Sequence, residues 1–346
     1  MVATTRRQVA ALLGGLAVVA VLAGCAGPPG LAAAPSATGA DLAIDGPASV
    51  RIGDDVRPIT DRPEPVLPVT VTSHDGVPVT VSSVDRIVAV DLYGTIGEIV
   101  FGLGLGDRMV GRDSSTGFAA ASAVPVVTSG GHDLNAEAVL DLNPTVVLTD
   151  TSIGPIEVQQ QLRSAGVPVV FLDPTRTLDG VPGQIRAVAA ALGVPADGNR
   201  LVERVGGEIA AAAAAAPDGT PPRIAFLYVR GSAGVYLMAG PGSGADAMIR
   251  AVGAVDVGTD IGLTKPFVPI TSEALIAAQP DVLLVMTHGL ESVGGVDGLL
   301  RIPGIAQTPA GTHRRVLDVD DTQLLNFGPR VGEMITALAT ALYGRS

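Results

Sequence analysis

Gly130-Gly-His-Asp-Leu-Asn-Ala-Glu-Ala-Val-Leu-Asp-Leu-Asn-Pro-Thr-Val-Val-Leu148 places a lone histidine, a helix start, a carboxylate and a buried strand in one short run. Asn135 is a favoured N-cap, residues 136–142 suit a short helix, and Pro144 stops it ahead of the continuous apolar run 146–148. An apolar strand without alternation belongs to a parallel sheet, whose strands are buried on both faces. The pattern recurs downstream: Thr271, Glu273, Ala274, Pro280, Val282 and Leu284 match Asn135, Glu137, Ala138, Pro144, Val146 and Leu148 at a constant offset, 273 − 137 = 136 residues. That spacing points to two related lobes rather than a short-period solenoid.

Upstream of this unit, residues 67–71 and 77–81 alternate apolar with Thr or Ser around His74-Asp75-Gly76, a β-hairpin pattern with His74 in the turn. Residues 86–90 form a buried strand and 93–102 a helix. The Gly102-Leu-Gly104-Leu-Gly106 run follows that helix instead of opening one, so it reads as a C-cap and loop, continuing through residues 107–110, and not as a dinucleotide fingerprint. Downstream, helix 156–164, strand 167–172 and helix 181–192 give the βα alternation of a sheet covered on both faces. The Ala-rich segment 197–216 has high helix propensity and spans roughly 30 Å at ~1.5 Å per residue, a stiff connector between lobes. After the break at residues 217–222 come strands 223–229 and 235–238. Gly240-Pro-Gly-Ser-Gly-Ala-Asp246 then opens a helix to about residue 251. Strand 281–286, loops, strand 315–319 and a closing helix 329–342 complete the chain.

The expected fold is α/β, with two Rossmann-like lobes, each a mostly parallel sheet flanked by helices, one long rigid helix between them and a leading hairpin. Residues 1–25 resemble an export signal: Arg6 and Arg7 precede an apolar stretch shorter than the ~20 residues of a spanning helix, and Leu22-Ala-Gly-Cys25 resembles a bacterial lipobox. Lipidation at Cys25 would anchor the protein to the outer face of the cytoplasmic membrane. Residues 26–65, rich in Pro, Gly, Ala and Asp, are expected to be a disordered tether, 66–196 the first lobe with its hairpin, 197–216 the connecting helix and 217–346 the second lobe.

A formal charge of −12 argues against nucleic acid or an anionic membrane surface as the main partner, since both reward basic patches. With Cys25 the single cysteine, intrachain disulfides and thiolate metal clusters are excluded too. Aromatic residues make up 3% of the chain, so a planar ligand must be gripped by aliphatic walls and a few specific polar or metal-coordinating groups. No Gly-x-Ser-x-Gly elbow or short His-x-His pair is present, so neither an enzyme nor a multi-histidine metal site is expected. His288 and His313 read as structural or exposed. His132 lies in a Gly-flanked loop at the sheet edge where open α/β folds collect ligands, although by residue type alone a loop histidine is more often a surface group. Tyr236 stands at the matching edge of the second lobe, where a strand tyrosine ordinarily packs. Glu137 and Glu273 occupy the first turns of equivalent helices, where the helix dipole alone favours them.

From Arg86 onward the chain resembles the helical-backbone, cluster A-III substrate-binding proteins of ABC transporters, which carry haem, ferric siderophores or cobalamin. The resemblance rests on the lipobox, Arg86-Ile-Val, the two Glu-containing repeats, the connecting helix and Leu324-Leu-Asn-Phe-Gly-Pro-Arg330. Together with Gly-Val-Tyr236 and Gly242-Ser-Gly-Ala-Asp246, that last segment is similar to the haem branch, the HmuT-type lipoproteins of actinobacteria. The resemblance implies haem as transported ligand, held between axial His132 and Tyr236, a permease with its ATPase as partners, and a monomer. It also implies that Glu137 and Glu273 dock to the permease. Such proteins often place an Arg beside the Tyr, and here Met238 stands two positions on, so either Arg230 takes that part or the ligand is less strongly tuned. Lys265 and Arg330 are candidate propionate or rim partners. A ferric-siderophore or cobalamin binder of the same class, and a nucleotide-dependent enzyme on a Rossmann-like fold, are the alternatives.

Overall fold

The computed structural model describes residues 42–214, 216 and 219–344, so the signal segment 1–25 with Cys25 lies outside the described residues. In chain order the elements begin with β1 (Ala48–Val50), the hairpin β2 (Val69–Thr72) and β3 (Pro78–Val81), β4 (Ile87–Val90), α1 (Thr95–Gly102) and β5 (Met109–Arg112). The small hairpin β6 (Thr128–Ser129) and β7 (Asp133–Leu134) leads into α2 (Ala136–Asp141), β8 (Val146–Thr149), α3 (Ile156–Ser164), β9 (Val169–Phe171), α4 (Val181–Ala191) and α5 (Pro195–Ala214). The second half holds β10 (Arg223–Arg230), β11 (Val235–Ala239), α6 (Ala245–Ala251), β12 (Val255–Asp256), α7 (Val257–Asp260), β13 (Phe267–Pro269), α8 (Ser272–Ala278) and β14 (Val282–Met286). It closes with α9 (Thr287–Ser292), α10 (Gly295–Leu299), α11 (Pro309–Thr312), β15 (Val316–Val319) and α12 (Val331–Tyr343).

Two sheets form the lobes. The first is fully parallel in the order β5-β4-β8-β9. The second runs β1-β15-β14-β10-β11-β13; β10, β14, β15 and β1 are parallel, whereas β11 and β13 pair antiparallel. Helix α5 packs on both α4 and α12. Glycine permits both approaches: a Cβ at Gly198 would stand 2.4 Å from the Ala189 Cβ, and one at Gly332 would stand 2.7 Å from the Glu208 Cβ.

The repeat extends to atomic detail. Asn135 Oδ1 accepts from the Ala138 amide at 3.0 Å, and Thr271 Oγ1 accepts from the Ala274 amide at 3.2 Å, each capping its helix. Both helices end in a left-handed non-glycine residue, Asn143 and Gln279, each at φ 46° and again 279 − 143 = 136 residues apart. The freed carbonyls at the two helix ends take equivalent arginines: Arg86 Nε donates to Leu142 O at 2.8 Å and Arg223 Nε donates to Ala278 O at 3.0 Å. A cation at a helix C-terminus also complements the dipole there.

Three expectations are corrected. The tether does not extend to residue 65, because Ala48–Val50 adds a parallel strand to β15 and so joins the second lobe's sheet. Met109–Arg112, placed in a loop by its glycine-rich approach, is the edge strand of the first sheet. The loops expected after Met286 contain the short helices α9 to α11, whose glycines Gly289, Gly298 and Gly311 are buried. Propensity undervalues glycine-rich helices when tertiary packing supplies their stability. Among the described residues, no helix is long and apolar enough to cross a membrane.

Candidate ligand-binding cleft

The C-terminal ends of strands from both sheets border one cleft of about 400 Å³, where open α/β sheets collect ligands. Lobe one supplies Leu92 and Tyr93 after β4, Ser114 and Ser115 after β5, and Gly130 to His132 from the β6–β7 turn. Lobe two supplies Tyr228 and Arg230 from the end of β10, Met286 from the end of β14, and Asp321 and Thr322 beyond β15, with Leu237, Phe267 and Leu325 as apolar wall.

His132 is exposed at the tip of its turn. Its Nδ1 lies 3.0 Å from the Gly130 carbonyl oxygen, and since a carbonyl can only accept, Nδ1 carries the proton in that contact. Among the described residues Nε2 makes no hydrogen bond, its charged neighbour being Asp133 Oδ1 at 3.7 Å, and with the proton on Nδ1 its lone pair is the one a metal-binding imidazole uses. Two left-handed glycines, Gly130 at φ 57° and Gly131 at φ 86°, make the turn that presents this side chain.

Tyr236 is not brought to this cleft. In the β10–β11 ladder Tyr236 is opposite Val229 and Leu237 opposite Tyr228, and alternate residues point to opposite faces of a sheet. The face of Tyr236 packs with Val229, Met238 and Val268 and borders a separate depression with Ile270, Ser292 and Arg301. Tyr228 occupies the cleft face, edge-on to Phe267 at 6.0 Å and beneath Arg230, whose guanidinium carbon is 4.5 Å from its ring centroid. Met238 is buried in the core behind the sheet and has no access to the cleft. The sequence held a signal for Tyr228: an arginine stands two positions on, on the same strand face, as it does not for Tyr236.

Arg330 is likewise removed from the cleft. Its Nη2 pairs with Glu98 Oε2 at 3.0 Å, its amide donates to Glu98 Oε1 at 2.8 Å, and its Nη1 donates to Gly53 O at 2.7 Å, with both side chains almost wholly buried. Lys265 is exposed, two residues before Phe267 of the cleft wall. Glu137 and Glu273 are both exposed in the first turns of α2 and α8.

Behind lobe one's wall, three carboxylates follow three strand ends: Asp91 after β4, Asp113 after β5 and Asp150 after β8. Asp91 accepts the amides of Tyr93 at 2.7 Å and Ile96 at 2.6 Å, capping α1, while its own amide donates to Asp113 at 3.0 Å. Arg176 donates to Asp150 at 2.8 Å and lies 4.9 Å from the Tyr93 ring centroid. Burial, then the neighbouring Asp91 charge, pushes Asp113 up to about 7. Burial and Asp91 also raise Asp150, against the opposing pull of Arg176. Burial raises the Tyr93 phenol. This cluster fixes the loops that carry Tyr93, Ser114 and Ser115, and it does not line the cleft itself. Among the described residues, no group of three or more His, Cys, Asp or Glu side chains could hold a metal ion.

Comparison with known proteins gives three kinds of match. A family model described as a periplasmic binding protein matches residues 88–322. The crystal structure of the heme-binding protein HmuT is 42% identical, with a TM-score of 0.82, covering 87% of this chain and 98% of that one. HmuT has also been solved with a histidine, an arginine or a tyrosine changed to alanine, and that tyrosine and arginine are two positions apart. The periplasmic heme-binding protein RhuT from Roseiflexus sp. RS-1, in apo form, is 45% identical with a TM-score of 0.69, covering 75% of this chain and 98% of that one. The uncharacterized ABC transporter substrate-binding lipoprotein YvrC of Bacillus subtilis is 25% identical over 250 residues, 71% of this chain and 76% of YvrC.

Proposed function

The chain belongs to the periplasmic binding protein family, a family of transport components and not of enzymes, and on that premise we propose that it binds haem in the cleft and delivers it to an ABC importer. The iron is held between His132 of lobe one and Tyr228 of lobe two. The observation that carries this reading is the pairing, across one apolar cleft, of an exposed imidazole whose Nε2 makes no hydrogen bond among the described residues and a tyrosine under an arginine. The Tyr228-Val-Arg230 spacing, 230 − 228 = 2, equals that of the tyrosine and arginine altered in HmuT. A tyrosinate is a hard anionic donor for ferric iron and a neutral imidazole completes the axial pair. Leu92, Leu237, Phe267 and Leu325 give the porphyrin faces an apolar seat.

The test is a haemin titration of the mature protein. A shifted Soret band at one haemin per chain is expected, and His132→Ala should move that band while retaining binding. A spectrum identical to free haemin would reject the reading.

Within the same reading, Glu137 and Glu273 are the two docking anions, one per lobe, and Lys265 is a rim cation for a haem propionate. Lipid on Cys25 holds the protein at the outer face of the cytoplasmic membrane. Reversing the charge of both glutamates should abolish haem uptake by cells while leaving the haemin titration unchanged; lost affinity instead would assign those residues to the ligand. Cys25→Ser should release the protein from the membrane fraction.

A further inference from the structure

We infer that Asp321 is a positioning residue of the haem site: with Gly289 it builds a seat that holds the Arg230 guanidinium on the Tyr228 ring before any ligand arrives. The inference rests on the reading of Tyr228 as iron ligand. Contacts converge on the guanidinium from several elements. Its Nη2 donates to Asp321 Oδ2 at 2.6 Å and lies 3.8 Å from Met286 Sδ, its Nη1 donates to Val229 O at 3.0 Å, and its carbon stands 4.5 Å from the Tyr228 centroid. Asp321 is itself fixed, because its Oδ1 accepts the His288 backbone amide at 2.9 Å, with the His288 ring Nδ1 3.5 Å away.

Gly289 supplies the room. A Cβ there would stand 2.7 Å from Val229 O and 2.9 Å from Arg230 Nη1, the acceptor and donor of one hydrogen bond, so a larger residue at position 289 would press on both and disturb the guanidinium's place on the ring. Nearby, the Gly231 amide donates to Ser292 Oγ at 2.8 Å, tying the end of β10 to the same helix. Three segments distant in sequence are therefore shaped around one side chain. Among the described residues, Arg230 is the one Lys or Arg that lines the cleft.

The physical consequence is preorganisation. A loose arginine loses rotamer freedom when a ligand fixes it, and a bare guanidinium is costly to desolvate beneath an apolar porphyrin. Asp321 meets both costs in advance by fixing the rotamer and neutralising the cation. Supporting groups of this kind tune a metal site by about 10- to 100-fold.

Asp321→Ala is expected to weaken haemin binding about tenfold and to move the tyrosinate-to-iron charge-transfer band, with Asp321→Glu restoring both. Gly289→Ala should reproduce the defect with no change of charge. The double variant Asp321→Ala with Arg230→Ala should bind no worse than Arg230→Ala alone, since Asp321 acts through that arginine. Additive losses in the double variant, or wild-type affinity and an unmoved band in both Asp321→Ala and Gly289→Ala, would overturn the inference. A charge-transfer band that survives Tyr228→Phe would instead overturn the ligand assignment, and this inference with it.

Discussion

Tyr228→Phe should lower haemin affinity by on the order of 100-fold, roughly 2.7 kcal/mol, while Tyr236→Phe should change it by less than about twofold. The two tyrosines differ in which face of one antiparallel ladder they occupy. Tyr228 is opposite Leu237 on the cleft side, and Tyr236 is opposite Val229 on the side packed into lobe two. The Phe substitution keeps the ring, its edge-on contact with Phe267 and the Arg230 stacking, and removes only the oxygen that would bind iron. The measurement is a titration followed at the Soret band, with the charge-transfer band of the ferric complex as the specific marker of a phenolate ligand. Loss of that band in Tyr236→Phe, with Tyr228→Phe unaffected, would reverse the assignment.

The second large effect is on stability. Arg330→Met should destabilise the fold by about 3–5 kcal/mol, because it strands a buried carboxylate without its partner. Glu98 lies in α1 of the first lobe and Arg330 at the start of α12 in the second, so the pair joins the lobes and does not merely brace one of them. Arg330 also reaches Gly53 O and packs near Phe118, 5.4 Å from its ring centroid. Urea unfolding gives the cost directly, and combining Arg330→Met with Glu98→Leu should recover part of it, since two apolar groups leave no buried charge unpaired although the Arg330 amide and Gly53 O lose their partners. A loss below about 1 kcal/mol for Arg330→Met, the range of exposed pairs, would show that solvent reaches the pair. The expectation that Arg330 serves the ligand failed for a physical reason. An arginine in a Gly-Pro-Arg segment has no sequence mark that separates an open cleft from a partner in the other lobe.

Much of the architecture is local and was therefore legible. The Asn135 and Thr271 caps, the prolines that follow each helix and the apolar runs 146–148 and 282–286 depend on residues a few positions apart. The 136-residue repeat points to two related units, each copy feeding one of the two sheets, and the structure adds to it the matched left-handed residues Asn143 and Gln279. His132 stood out because it precedes the first copy of the repeat, whereas Val268 holds the equivalent position at the same offset. The structure puts that histidine on the cleft.

The errors share a different origin. Ala48–Val50 is too short to declare itself a strand, and it becomes one because β15 offers a free edge more than 250 residues later in the chain. Choosing between Tyr228 and Tyr236 required knowing which of two adjacent strands turns its tyrosine toward the other lobe, and period-2 alternation identifies faces without saying which face meets a ligand. The repeat, the helix caps, the buried strands and the histidine that departs from the repeat are all legible in the chain, because each is written in short-range residue chemistry. Only the tertiary structure decided which tyrosine shares the cleft, that Arg330 clasps Glu98, and that Asp321 and Gly289 seat Arg230. Those are contacts between segments that meet only when the two sheets fold against each other.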